Sequence, residues 1–121
     1  MTKGAAVHEF FSGFGMSAYA ASAVPEDVIL PYITYEFVAD AMGEVDISVN
    51  LWFYTESEAI PNAKALEISK AIGLGGKILR FDGGAVWVKR GSPWCQSLKD
   101  DTAPGIKRRL LNVRLEYISA N

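Results

Sequence analysis

The side chains that could carry out catalysis are few, and they lie far apart along the sequence. The chain of 121 residues has one histidine, His8, and one cysteine, Cys95. A nucleophilic cysteine needs a neighbouring base or cation that lowers its pKa, and nothing in this spacing indicates such a pair. We therefore predict that His8 lies on the surface of a helix and that Cys95 is a structural thiol.

Acidic and glycine-rich segments are the remaining candidates for chemistry. Asp100 and Asp101 are adjacent in a segment with Gly and Pro, where carboxylates usually face water instead of being paired for acid–base catalysis. Residues 73–77 (GLGGK) lack the Ser or Thr that follows the lysine of a phosphate-binding loop, so we interpret them as a helix stop. With so few soft ligands we expect no metal and no cofactor, and an enzyme that uses carboxylates alone is the least favoured class.

The composition is that of one ordered globular domain, residues 1–121. Half of the residues are hydrophobic and 21% are charged, which is enough to build a core without disulfides. No apolar stretch approaches the roughly 20 residues that a membrane span needs, and the N-terminal segment lacks the pattern of a secretory signal. We expect synthesis in the cytoplasm and no contact with a membrane.

The net charge of −2 is unevenly distributed along the chain. Residues 1–76 contain ten acidic and three basic side chains, a balance of −7, whereas residues 77–121 contain four acidic and nine basic ones, a balance of +5. Opposite charges on two surfaces of one subunit would favour head-to-tail contacts. Alternatively, the two segments interleave in one sheet and their charges cancel locally.

Hydrophobic periodicity predicts a helix and then strands in the first half of the chain. A short helix that ends near Gly13 or Gly15 is indicated by an apolar stripe at helical spacing, formed by Val7, Phe10, Phe11 and Phe14. Residues 17–23 form a weak strand and residues 32–38 a clearer one. Residues 45–54 alternate strictly between apolar and polar side chains, which predicts an antiparallel strand with one solvated face.

A second helix is predicted directly after this strand. Thr55 and Glu58 have the spacing of a capping box, Pro61 suits a first helical turn, and Gly73 supplies the stop. The buried face of this helix should comprise Pro61, Ala65, Ile68 and Ile72.

The last third of the chain is predicted to consist of strands. Residues 77–81 and 85–90 flank a tight hairpin turn, and residues 91–94 form a bend. A polar loop at residues 100–105 precedes a long strand at residues 106–119. The predicted fold is therefore α+β, with two helices packed on a mostly antiparallel (mixed) β-sheet.

Three aromatic side chains are candidates for contacts with another subunit. Trp52 and Tyr54 are predicted to project from the solvated face of their strand, so either a helix of the same chain or a neighbouring subunit should cover them. Trp94, in the predicted bend, has the same two alternatives. Large aromatic side chains bury well where subunits meet.

Two charged clusters are the other candidate sites. The basic cluster, a candidate for subunit, partner or phosphate contacts, comprises Lys107, Arg108, Arg109 and Arg114. Basic residues on an amphipathic strand are more often solvated or guard a sheet edge, and we expect no sequence-specific DNA binding. The acidic cluster either faces a lumen or forms a soluble turn, and it comprises Asp40, Glu44 and Asp46.

The order and spacing of five segments resemble the tail terminator (tail completion, minor tail) proteins of long-tailed bacteriophages and their prophages. These segments, within residues 24–118, are PYITYEF, DISVNLWFYT, SEAIPNAKALEISKAIG, DGGAVWVKRGSP and IKRRLLNVRLEYI. They are phrases typical of a family instead of an invariant motif. The N-terminal helix is shorter than such proteins usually carry.

The resemblance implies a structural protein of the virion and no enzyme. Such a protein closes the head-proximal end of the tail tube as a six-membered ring, ends tube elongation and presents the surface to which the head joins. Its partners would be further copies of itself, the tail tube protein and a head completion or connector protein, and DNA would only pass through the lumen.

Two other classes remain open at this stage. A head-side connector that closes the portal would use comparable surfaces. A small-ligand or regulatory binding module would need a concave apolar pocket with a few polar groups.

Overall fold

The computed structural model describes residues 1–40, 42–99 and 103–119. Helix α1 (Lys3–Phe11) continues into a short 3-10 turn (Ser12–Phe14), and helix α2 spans Ala59–Ile72. The strands are β1 (Ser17–Ala20), β2 (Tyr32–Tyr35), β3 (Gly43–Tyr54), β4 (Lys77–Phe81), β5 (Gly84–Lys99) and β6 (Ile106–Ser119). These elements form one small α+β domain, as predicted.

The six strands form one mixed sheet in the order β1-β2-β3-β6-β5-β4. The β1–β2 pair is parallel, and all other neighbouring pairs are antiparallel. The long strands β3 and β6 pair along their whole shared length, from Gly43 opposite Tyr117 to Tyr54 opposite Ile106. Two segments distant in sequence are therefore joined at the centre of the sheet.

Both helices pack on one face of the sheet, which we call the inner face. Helix α1 contacts both β1 and β4, the strands at the two ends of the strand order, so the sheet curves around it as a half-barrel. The alternating side chains of the long strands fill the space beneath the helices. The largest fully buried apolar side chains are Phe11, Ile33, Leu51, Ile68, Ile72, Leu111 and Leu115.

The predicted elements of the first half are confirmed, although two strands are shorter than predicted. Helix α1 and its 3-10 turn end at Gly15, which has a φ of 73°. Strand β1 ends at Ala20 because a turn follows, and β2 ends at Tyr35. Beyond β2 the chain leaves the ladder, and the Glu36 carboxylate accepts a hydrogen bond from the backbone N–H of Ser48.

The predicted capping box of α2 is wrong. The Thr55 hydroxyl accepts a hydrogen bond from the N–H of Ser57, and Glu58 itself is the N-cap residue without a side-chain capping bond. The Glu58 carboxylate instead bonds Lys107 and Arg109. Bonds between opposite charges are stronger than a bond to a neutral backbone N–H, so the long-range partners prevail.

The predicted bend at residues 91–94 lies within one long strand. Strand β5 continues from Gly84 to Lys99, and its register against β6 shifts between Arg90 and Cys95. A Cβ at Gly91 would come within 2.9 Å of the Asn112 backbone oxygen, so only glycine allows this close approach. The bend residues are therefore a bulge that re-aims β5 without ending it.

Candidate functional site

The outer face of the sheet, which carries no helix, has a row of aromatic side chains across three strands. Trp52 on β3 stacks against Tyr32 on β2, with 6.0 Å between ring centroids, and Tyr19 on β1 packs edge-on against Tyr32. The guanidinium of Arg108 lies 5.1 Å from the Trp52 ring, and the indole N–H donates to the Thr34 hydroxyl. Neighbouring strands therefore cover much of Trp52.

The expected helix over Trp52 and Tyr54 is wrong, because both helices lie on the inner face. Trp52 is half-buried by its strand neighbours, whereas Tyr54 is 72% exposed. The Tyr54 ring lies against Gly105, where an added Cβ would come within 2.8 Å of it. The alternative of a subunit contact stays a prediction, and Tyr54 is the more accessible of the two.

Replacing Trp52 by alanine is expected to lower the free energy of unfolding by about 2 kcal/mol, because it removes a half-buried indole from the aromatic row. Tyr54→Ala, on the same face, should change it by less than about 0.5 kcal/mol. Urea denaturation of both variants measures the difference. If Trp52→Ala leaves stability unchanged but weakens self-association in sedimentation velocity, Trp52 is an interface residue.

Strand alternation separates the basic cluster onto two faces. Arg109 and Lys107 point to the inner face beneath α2, and Arg108 points outward, where its Nε donates to the Asn50 side chain. Arg109 is 2% exposed, and its guanidinium bonds Glu58 and Asn62 at the start of α2. Arg109 is therefore committed to holding α2 on the sheet instead of lying ready for a partner.

The carboxylate of Glu58 is the shared partner of the two inner cations. Hydrogen bonds from Lys107 and then Arg109 hold its pKa below the usual range. These three side chains line a cavity of about 220 Å³ between the start of α2 and the ends of β5 and β6. Because the charges already neutralise one another, this cavity offers an anion little free positive charge.

The predicted acidic loop is only partly a loop. Asp40 lies in the connection before β3, whereas Glu44 and Asp46 lie on β3 itself. Asp46 accepts a hydrogen bond from the Nε of Arg114 at 2.8 Å, and this bond lowers the pKa of Asp46 and raises that of Arg114. This pair spans the β3–β6 ladder on the outer face.

Glu44 also forms an ion pair, with a residue of β5 on the far side of β6. Lys89 on β5 lies between Glu44 and Glu116, at 3.1 Å and 3.3 Å from their carboxylate oxygens. The hydrogen bond with Lys89 lowers the pKa of Glu44 and raises that of Lys89. The interleaving alternative for the charge distribution therefore holds at the centre of the sheet.

Trp94 and Cys95 lie in or beside the β5 bulge and pack against the core. Residues of the same chain therefore cover part of Trp94. Its buried indole N–H has no hydrogen-bond partner among the described residues. Burial raises the pKa of the Cys95 thiol, which keeps it protonated and weakly nucleophilic. The interpretation of Cys95 as a structural thiol fits this environment.

His8 makes contacts that the sequence analysis missed. Its side chain lies on the exposed side of α1, with Nδ1 3.0 Å from the Tyr35 hydroxyl and Nε2 3.3 Å from the Ser12 hydroxyl. The i, i+4 spacing of His8 and Ser12 was the available signal. No carboxylate orients this imidazole within the described part of the chain, so the arrangement lacks a triad's third member.

A metal site and a pair of catalytic carboxylates are the last two kinds of site that the sequence analysis considered. Within residues 1–40, 42–99 and 103–119, no group of three or more His, Cys, Asp or Glu side chains could hold a metal ion. Asp100 and Asp101 lie outside the described residues, so their solvated placement stays a prediction. Residues 73–77 do follow the end of α2, with Gly73 at its C-cap.

Within the described residues, two stretches of the sheet lack a strand partner on one side. Strand β2 pairs with only Val49–Trp52 of β3, so residues 43–47 have a strand partner on the β6 side alone. Strand β4 pairs with only Gly84–Val88 of β5, so residues 95–99 have a strand partner on the β6 side alone. These free segments lie on opposite sides and at opposite ends of the sheet.

The comparisons with known proteins add no relative. None of the helices in the described ranges is long and apolar enough to cross a membrane. No family model matches the chain, and no curated protein matches it in sequence.

Proposed function

We propose that this chain is a structural protein of a long-tailed phage or prophage that caps the tail tube as a ring. In this role it ends elongation of the tube and forms the surface to which the head joins. The resemblance of residues 24–118 to tail terminator proteins is the starting point. The architecture of the sheet supplies a physical argument for self-assembly.

The observation that carries the proposal is the diagonal placement of the two free strand segments. Residues 43–47 of β3 and residues 95–99 of β5 each have, on the side away from β6, backbone donors and acceptors with no strand partner among the described residues. Such edges pair readily with another chain. Because the two segments differ and face opposite directions, copies that use them would join head to tail, and a head-to-tail contact that closes makes a ring.

The absence of a developed ligand site among the described residues favours assembly over ligand binding. The cavity beside Glu58 holds about 220 Å³ and is lined by an internal ion-pair cluster. Pockets for drug-sized ligands typically span about 300–1,000 Å³ and are mostly apolar. The wider grooves of the molecule are open to solvent on its surface.

The proposal is tested with tail tubes assembled from a purified phage tail tube protein. We expect tubes incubated with the protein to stop elongating and to show added ring-shaped density at one end in negative-stain images. Tubes incubated with heat-unfolded protein are the matched control. Elongation at an unchanged rate, with bare tube ends, would contradict the terminator role.

A head-side connector is the second candidate, because the same head-to-tail surfaces would build its ring. The two roles differ in what the finished ring binds. A connector would bind DNA-filled heads and leave tube elongation unchanged, so incubation with isolated heads in parallel separates the two roles.

A further inference from the structure

Two groups of charges without an internal ion pair lie on different sides of the sheet. Around the β1 side, described carboxylates without an ion-pair partner are Glu26 and Asp27 in the β1–β2 connection and Asp40 in the β2–β3 connection. On the β4 side, described cations without an ion-pair partner are Lys77 and Arg80 on β4 itself and Lys70 in the last turn of α2. The first group lies in connections that flank β1 and β2, whereas Lys77 and Arg80 lie on β4, at the other end of the strand order.

Each edge also exposes large apolar side chains beside its charges. On the β1 side Ile29 is 81% exposed and Met42 is 74% exposed. On the β4 side Leu74 is 98% exposed and Ile78 is 46% exposed. Apolar side chains surrounded by charged ones are the usual make-up of a contact between proteins.

A groove runs along the unpaired edge of β4. It has a volume of about 430 Å³, and its apolar lining includes Phe10 of α1, Ala71 of α2 and Ile78 and Leu79 of β4. Lys77 and Arg80 lie at this groove, and Glu9 is the acidic side chain on its α1 side. An apolar side chain flanked by carboxylates, such as Ile29 with Glu26 and Asp27, matches this combination of apolar lining and positive charge.

We propose that the acidic edge of one copy docks on the basic edge of a second copy. The acidic edge is defined by Glu26, Asp27, Ile29, Asp40 and Met42, and the basic edge by Lys70, Leu74, Lys77, Ile78 and Arg80. This inference rests on the proposed function only in that it adds charged contacts, beside those of residues 43–47 and 95–99, to the subunit contacts of that ring. The contact itself needs no phage component.

Charge complementarity selects the head-to-tail arrangement over a two-fold one. In a two-fold contact the same surface faces itself, so Glu26 and Asp27 would approach like charges or Lys77 would approach Arg80. Opposite charges between different edges attract instead and steer the encounter, an effect that salt screens. Since each copy keeps one free edge of each kind, association can continue until a ring closes.

The test uses two charge-reversed variants of the full chain. Glu26→Lys with Asp27→Lys reverses the acidic edge, and Lys77→Glu with Arg80→Glu reverses the basic edge. All four side chains are exposed and form no ion pair with another described residue, so both variants should keep the wild-type melting curve. We expect each variant alone to associate at least about tenfold more weakly than the wild type in sedimentation velocity at low salt.

Mixing the two variants gives the decisive result. In an equimolar mixture every reversed edge meets an edge of opposite charge, so association should return to near the wild-type level. Glu56→Lys, an exposed carboxylate without an ion pair on the β3–α2 connection, is the matched control and should associate as the wild type does. Wild-type association that high salt does not weaken would count against the proposal.

The inference is overturned if the wild type stays monomeric at every concentration, if either variant associates normally, or if the mixture fails to recover. Its failure is distinguishable from failure of the proposed function. If variants that no longer self-associate through these edges still cap tail tubes, the terminator role stands and the proposed interface is wrong. If the protein forms charge-dependent rings that leave tube growth unchanged, the proposed interface stands and the terminator role is wrong.

Discussion

Replacing Gly76 by alanine is expected to lower the free energy of unfolding by about 2–4 kcal/mol. Gly76 has a φ of 83°, a left-handed conformation that is costly for any residue with a Cβ. The added Cβ would also lie 2.3 Å from the Trp87 indole nitrogen and 2.6 Å from the Val88 carbonyl oxygen. Both strands of the β4–β5 hairpin would have to shift. This shift would also disturb the hydrogen bond that the Trp87 indole N–H donates to the Gly75 carbonyl.

Two neighbouring glycines provide matched controls for Gly76. Gly73 has a φ of 79° and a ψ of 172° but open space around it, so Gly73→Ala should cost only the backbone strain, about 1–3 kcal/mol. Gly75 lacks a positive φ and also has open space, so Gly75→Ala should be close to neutral. Urea denaturation measures all three variants, and equal losses at Gly73 and Gly76 would exclude the predicted clash.

Replacing Arg109 by alanine is expected to lower the free energy of unfolding by about 2–4 kcal/mol. The side chain is 2% exposed and lies between β6 and the start of α2, so its removal leaves a cavity. Asn62 also loses its hydrogen-bond partner. Because Arg109 joins the start of α2 to β6, α2 should become the first element to exchange its amide hydrogens.

Two variants separate packing from charge at this position. Arg109→Met keeps much of the side-chain volume while removing the charge, so it should lose less stability than Arg109→Ala. Arg108→Ala, its sequence neighbour on the outer face, should cost no more than about 1 kcal/mol. Denaturation curves would contradict this account if Arg108→Ala and Arg109→Ala were equally destabilising.

The regular elements were predictable because their periodicity is local. The strict alternation over residues 45–54 identified β3, and the stripe that includes Ile68 and Ile72 identified the buried face of α2. The burial of Arg109 could also have been predicted, from the alternation of side chains along β6. Counting back by twos along β6 from Leu111 puts Arg109 and Lys107 on the inner face.

The features that sequence could not supply depend on partners distant along the chain. Glu58 has the spacing of a capping box. Its bond with Arg109 can be predicted only if the position of β6 beneath α2 is known, and the sequence does not give that position. The charge distribution was likewise ambiguous until the β3–β6 register paired Asp46 with Arg114. Among the charges without such a pair, one acidic group flanks β1 and one basic group lies around β4.

The central claim, that copies of this chain join head to tail into a closed ring, is tested most directly by imaging. Sedimentation velocity over a wide concentration range, alone and with tail tubes, identifies the largest species for negative-stain class averages. The account predicts a closed ring with identical contacts between neighbours. Monomers under every condition, or dimers related by a two-fold axis, would contradict it.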